Sequence, residues 1–260
     1  MAHSELAPID AGSISDVTSV LGPERGALVE LLRGFAAEEW DRPTECPAYP
    51  VKGIAAHILG DDLGLLSRQR DGAVQGLILV AEKMPGADFR GLLNSFNDQW
   101  VEAARFLSGP MLIELLEWSG ERSSAYYGHV DPMLPGEPVP LFGPPPGEGS
   151  PFWQAIAREY LERWTHHSQI RRAVGLSSLD DSPFLEVGMR IVAGVVGAPV
   201  LAPGEPGGEW AIGPLGLGPT SQAAAILTLA HTGPEVTALV DGPPDLVAQF
   251  ATRVSRRTDG

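Results

Sequence analysis

The chain has 260 residues, 43% of them hydrophobic, and a formal net charge of −15. That is enough apolar material for one large domain or two modest ones, and the acidic field disfavours nucleic acid and anionic membrane surfaces as partners. A lone cysteine, Cys46, rules out a disulfide framework within the chain.

The first residues, MAHSELAPIDAGS, carry neither a basic start nor an apolar run and read as a lead-in rather than a secretory signal. Residues 15–43 read as the first helix, with Leu28, Leu31, Leu32 and Phe35 at helical spacing and Arg42-Pro43 as its end. TECPAYP is a turn, and a second helix starts after Pro50, with Val51, Ile54, Ile58 and Leu65 on its apolar stripe. A third helical region covers 89–117, bent or broken at Gly109-Pro110. Residues 126–150, rich in Pro and Gly, show no helical period and read as a long loop, of the kind that forms lids or linkers. A fourth helix runs from Ser150 or Pro151 to Gly175.

Four helices with one long crossover predict an antiparallel bundle over 15–176. From 177 the pattern changes: a helix over SPFLEVGMRIVAGVVG, strands over EWAIGPL, AILTLAHT and PEVTALVDG, and a terminal helix over PPDLVAQFATRVSRR. The expected fold is mainly α, a bundle joined to a small C-terminal α/β lobe over 177–260. The longest apolar stretch, VGMRIVAGVVGAPVLA, is interrupted by Arg190, Gly and Pro, so no membrane span is expected and the reading is a soluble cytoplasmic protein.

Chemistry concentrates in ERWTHHSQIRR, residues 162–172. Residues four apart on a helix share a face, so Glu162 and His166 form a carboxylate–imidazole pair at metal-ligand spacing. A catalytic zinc takes about three protein ligands, and of the six histidines (His3, His57, His129, His166, His167, His231) His57 is the best-placed third, beside the apolar stripe of the second helix. The competing reading makes Glu162, His166 and Gln169 a water-facing polar stripe, His167 a core residue beside Ile156, Tyr160, Trp164 and Ile170, and His57 a satisfied core histidine.

CPAYPVKGIAAHILGDD and EYLERWTHHSQIRRAVG resemble two motifs of the DinB-like metalloproteins, and within them the mycothiol-dependent maleylpyruvate isomerase family, with Tyr49 where that family often has tryptophan. VPLFGPPPGEG resembles a Gly-Pro-Pro segment of further relatives. The resemblance implies a DinB-like four-helix bundle with a second α/β lobe, and His57, Glu162 and His166 as ligands of a divalent metal, zinc foremost. It also implies mycothiol or a similar low-molecular-weight thiol as cosubstrate and a small-molecule substrate. Gln169 stands where many relatives have aspartate, which puts a carboxylate in that supporting role in doubt.

Asp61, one turn past His57, is positioned to orient it; the alternative is that Asp61 and Asp62 are a solvated pair. Arg253 lies in DLVAQFATR, which resembles an ending of the family's C-terminal lobe, where an arginine would hold an anionic substrate or enolate; alternatively it belongs to a basic tail with Arg256 and Arg257. Cys46 lacks an activating partner in sequence and reads as inert. Tyr126, Tyr127 and His129 read as loop residues, and GPLGLGP as a turn without the context of a nucleotide loop.

The expected activity is therefore metal-dependent, thiol-using isomerisation or S-transfer on a small electrophile. The long loop suggests a substrate larger or more aromatic than maleylpyruvate. A metal-dependent hydrolase working without thiol, and a non-catalytic metal- or ligand-binding module, remain the alternatives.

Overall fold

A computed structural model describes residues 3–73, 75–137, 139–142, 149–205 and 207–255. In chain order the elements are β1 (His3–Leu6), α1 (Ile14–Arg33), α2 (Val51–Leu65), α3 (Gln75–Lys83), α4 (Phe89–Ala104), α5 (Gly109–His129), β2 (Pro135–Gly136), β3 (Ser150–Pro151), α6 (Phe152–Ala173), α7 (Phe184–Val196), β4 (Val200–Pro203), β5 (Glu209–Ile212), β6 (Leu215–Pro219), α8 (Thr220–Leu227), α9 (Gly233–Leu239) and α10 (Pro244–Ser255). The architecture is mainly α with a small sheet, as expected, and it groups into two compact units: residues 21–130, and residues 1–20 with 131–259. Among the described residues no helix is long and apolar enough to cross a membrane.

The unit 21–130 is helical and is organised around α2. Pro50, in an extended conformation, caps this helix. The N–H groups of Val51 and Lys52, which a helix start leaves without intrahelical partners, donate to the carbonyls of Arg42 and Trp40 at 3.0 and 2.9 Å. Val51, Ile54, Ala55, Ile58, Leu59 and Leu65 are buried along it. Helices α4 and α5 each open on a side-chain cap: Asp88 accepts from the N–H of Gly91, and Ser108 from that of Met111. Gly109-Pro110 thus begins α5 rather than bending one long helix, because proline is tolerated in a first turn.

Asp62 is fully buried and receives Arg25 Nη1 at 2.5 Å, Ser119 Oγ at 2.6 Å and Ser123 Oγ at 3.1 Å. The solvated reading of Asp62 is corrected by this network. A buried carboxylate has to be paired and hydrogen-bonded, and Asp62 follows Ile54 and Ile58 at four-residue steps, on the inward stripe of α2. The trace after α2 widens into a π turn over Leu66–Arg70.

In the other unit, β1-β4-β5-β6 form an antiparallel sheet. Burial alternates with period two: Val200 and Ala202, Trp210 and Ile212, Leu215 and Leu217 face the core. The supposed lead-in therefore contains an edge strand: Leu6 pairs with Val200 and His3 with Pro203. GPLGLGP is not a turn but the strand β6, joined to β5 through Gly213 at φ +53°.

AILTLAHT is corrected from a strand to the last turn of α8 and the connection after it, and PEVTALVDG from a strand to the helix α9 and its end. Ala223, Ala224, Ile226 and Leu227 of α8 are buried, and a Thr232–Glu235 capping box starts α9. Residues 126–129, read as loop, are the last turn of α5, where Tyr127 is buried. Residues 143–148 of the Gly-Pro-Pro segment, part of the loop on which the larger-substrate expectation rests, lie outside the described residues.

Helix α6 belongs to this unit. Its Tyr160 donates to the Phe184 carbonyl at 2.7 Å and its Trp164 to the Leu179 carbonyl at 2.7 Å, both side chains fully buried. Gly188 of α7 makes room for the Trp164 ring, since a β-carbon there would lie 2.4 Å from it. The Arg172 guanidinium ties the end of α6 to Ser178 Oγ at 2.6 Å and Thr228 Oγ1 at 2.8 Å.

Candidate metal centre

The motif on α6 brings together two of the expected ligands. Glu162 Oε2 and His166 Nε2 are 3.8 Å apart, brought together by the i, i+4 spacing. The other ring nitrogen, His166 Nδ1, meets Gln169 Oε1 at 2.9 Å. An amide oxygen only accepts, so this contact puts a proton on Nδ1, and a neutral ring then has its lone pair on Nε2, the side of Glu162. That is the arrangement of a ligating histidine held by a supporting hydrogen bond. Gln169 thus supplies this acceptor through an amide oxygen.

The stripe is not a wet face. Glu162 and His166 side chains are 25% and 14% exposed, and Gln169 is buried. His167 is fully buried, as the core reading had it. One turn earlier on α6, Glu159 and Arg163 form a buried ion pair at 3.1 Å.

The third expected ligand, His57, lies on α2 in the unit 21–130. His57 Nε2 is 3.3 Å from Asp61 Oδ2, again at i, i+4. The ring is also stacked on Tyr49, with centroids 5.9 Å apart and planes inclined by 25°. A neutral imidazole that donates Nε2–H to Asp61 presents its lone pair at Nδ1.

Tyr49 is itself held in place. Its hydroxyl donates to Asp98 of α4, and its carbonyl accepts from Thr44 Oγ1 at 2.6 Å. The absence of a side chain at Gly53 leaves space for its Cβ. Burial, and then the hydrogen bond to Asp98, push the Tyr49 phenol above its usual range, so it stays protonated. Sequence reasoning noted Tyr49 only as a replacement for tryptophan. Its partner Asp98, 49 residues away, carries no local signal.

The donor chemistry of each pair, Glu162 with His166 and Asp61 with His57, fits a divalent cation that takes histidine and carboxylate ligands. Among the described residues no three His, Cys, Asp or Glu side chains gather into a group that would hold a metal ion, so His57 joins Glu162 and His166 only as a proposal.

The other candidates fall outside these clusters. Arg253 is exposed on α10 and donates through Nη1 to the Val195 carbonyl of α7. Cys46 is a free thiol in the turn before α2, with its N–H on Thr44 Oγ1 at 3.1 Å. His129 ends α5 with Nδ1 on the Ala125 carbonyl at 2.7 Å.

No curated protein and no solved structure matches the chain. A family model does: the one described as the mycothiol maleylpyruvate isomerase N-terminal domain matches residues 21–171, which hold His57, Glu162 and His166.

Proposed function

Because the chain belongs to the mycothiol maleylpyruvate isomerase N-terminal domain family, we propose that it is a metal-dependent enzyme using a low-molecular-weight thiol of the mycothiol kind. On this reading it isomerises, or transfers sulfur to, a small electrophilic substrate. The observation that carries the reading is the half-buried Glu162–His166 pair, with His166 Nδ1 engaged by Gln169 and Nε2 turned to the carboxylate side.

The ligand set would be His57, Glu162 and His166, with zinc foremost, on a bundle over 15–176 followed by a smaller lobe over 177–260. A divalent metal bound there supplies stabilisation of a thiolate at neutral pH. The protein's own groups do the rest. Asp61 and Gln169 fix the imidazole protons of His57 and His166 and so direct their lone pairs. Tyr49 covers one face of His57 and restricts its rotation. Arg253 would steady a carboxylate or enolate of the substrate; a guanidinium has five N–H donors, and the bond to Val195 does not exhaust them.

The test is turnover of maleylpyruvate and related unsaturated keto acids by the metal-loaded chain, with mycothiol, with cysteine and with no thiol. Activity that requires the thiol and disappears in His57→Ala and Glu162→Ala supports the proposal. Activity at full rate without any thiol points to metal-assisted hydrolysis instead. Stoichiometric metal without turnover points to a binding module.

A further inference from the structure

A cavity of about 370 Å³ lies in the unit 21–130, and its described lining holds none of the expected metal ligands. Gly60, Gly64 and Ser67 line it from α2 and the π turn, Gly76 from α3, and Phe96 and Trp100 from α4. The volume falls within the ~300–1,000 Å³ of small-molecule pockets. We propose that this cavity binds a small, uncharged aromatic molecule carrying one hydrogen-bond donor, of the indole or phenol kind. The ring lies against Phe96 and Trp100, and its N–H or O–H is accepted by Ser67 Oγ.

Glycines bring the aromatic wall onto the backbones of two helices. A β-carbon at Gly60 would lie 2.2 Å from Trp100 Cδ1, so the indole rests directly on α2. One turn on, a β-carbon at Gly64 would lie 3.6 Å from Phe96 Cε1, and from α3 one at Gly76 would lie 3.1 Å from Phe96 Cε2. Phe96 and Trp100 are four residues apart on α4 and so share one face of it. Trp100 donates its indole N–H to the Ala56 carbonyl at 2.7 Å, so it offers the cavity carbon surface. Such rings favour an aromatic partner, offset-stacked or edge to face.

The polar end of the ligand follows from Ser67. Its hydroxyl donates to the Leu63 carbonyl at 2.7 Å, so its oxygen meets a ligand as an acceptor. Gly60 is buried and Ser67 exposed, which puts the aromatic contact at the inner end of the cavity and the acceptor at its mouth. An acceptor selects a ligand with a donor hydrogen and repels a carboxylate, as does a chain of net charge −15. Arg68, which also lines the cavity, is already engaged within the protein, and no part of the ligand is assigned to it. Ser67 sits within the π turn, a rare widening of the helix that recurs at functional sites.

The experiment is titration calorimetry of the full chain with indole and with 1-methylindole, which keeps the ring and lacks the donor. It is run on metal-free protein and on His57→Ala, so the outcome does not depend on the metal-centre reading. The expected result is one saturable indole site per chain in both proteins, with 1-methylindole about three- to tenfold weaker, the worth of one hydrogen bond. Ser67→Ala should weaken indole to the level of 1-methylindole and leave 1-methylindole within about twofold. Gly64→Leu, which extends into the cavity, should abolish binding of both, whereas Gly64→Ala, whose β-carbon meets only ordinary contacts, should keep it. If the leucine variant does not fold, Ser67→Ala carries the test alone. The proposal is overturned by no saturable site in the parent, by an indole preference that survives Ser67→Ala, or by binding retained in folded Gly64→Leu. Tighter binding of indole-3-carboxylate than of indole overturns it as well.

Discussion

Removing the carboxylate of Asp62 should be among the most damaging single changes in the unit 21–130. Asp62 is fully buried and Arg25 is 3% exposed, and Nη1 of the arginine reaches the carboxylate at 2.5 Å. Ser119 and Ser123 add two hydroxyl donors. In Asp62→Ala the guanidinium remains buried with only the Leu116 carbonyl, 2.8 Å away, on Nη1. Its Nε and Nη2 already have no hydrogen-bond partner among the described residues. Breaking a buried pair from one side costs about 3–5 kcal/mol, a large share of the ~5–15 kcal/mol that holds a domain folded.

Removing both charges in Arg25→Met with Asp62→Leu should cost clearly less than the sum of the single changes, because no uncompensated ion is left. Urea unfolding is the assay, read as a fall in midpoint at constant slope. An Asp62→Ala cost under about 1 kcal/mol, below the range for a broken buried pair, would refute the reasoning. So would single-mutant costs that add without coupling.

Two glycines one turn apart on α2 should respond with opposite signs. Gly60→Ala drives a β-carbon to 2.2 Å from the Trp100 ring and should destabilise by about 1–3 kcal/mol, whereas Gly64→Ala finds ordinary contacts and should gain up to ~1 kcal/mol of helix propensity; thermal unfolding of both variants checks this. In the capping box of α9, first the backbone N–H of Thr232 and then its hydroxyl hold the Glu235 carboxyl below its ordinary value. The native state then binds fewer protons than the unfolded chain, so this stabilisation is present above the ordinary glutamate range of about 4.3 and is lost as acid protonates the group. Glu235→Gln should make the melting temperature less steeply dependent on pH on the acid side; an unchanged slope would remove the cap from the account.

Where periodicity and burial agreed, the sequence was readable. The stripe Val51, Ile54, Ile58 and Leu65 marked α2, and the i, i+4 spacing of Glu162 with His166 held because α6 is one uninterrupted helix. The C-terminal α/β lobe was legible as a change of pattern and in α7, β5 and α10, but not in α8 and α9. PEVTALVDG is rich in β-branched residues, which favour strands, yet the Thr232–Glu235 box ahead of it is a helix start and outweighs them. The edge strand at His3–Leu6 pairs with residues about 200 positions away, and no short-range pattern carries that pairing.

Within the site, the adjacent acids Asp61 and Asp62 separate by the helical period, one onto His57 and the other into the Arg25 network. Continuing the Ile54–Ile58 step by four residues would have found the second. The support of Tyr49 by Asp98 was beyond reach, because it joins two helices through tertiary packing.

The central claim is that His57, Glu162 and His166 hold one divalent metal. The most direct test is metal content by elemental analysis of the untagged full chain after zinc reconstitution, beside the single variants His57→Ala, Glu162→Ala and His166→Ala, each verified as folded by circular dichroism. The account predicts about one metal per chain in the parent and loss of most of it in each variant, His57→Ala included, because that variant alone tests whether α2 and α6 serve one ion. Full metal content in His57→Ala, or no metal in the reconstituted parent, would contradict it.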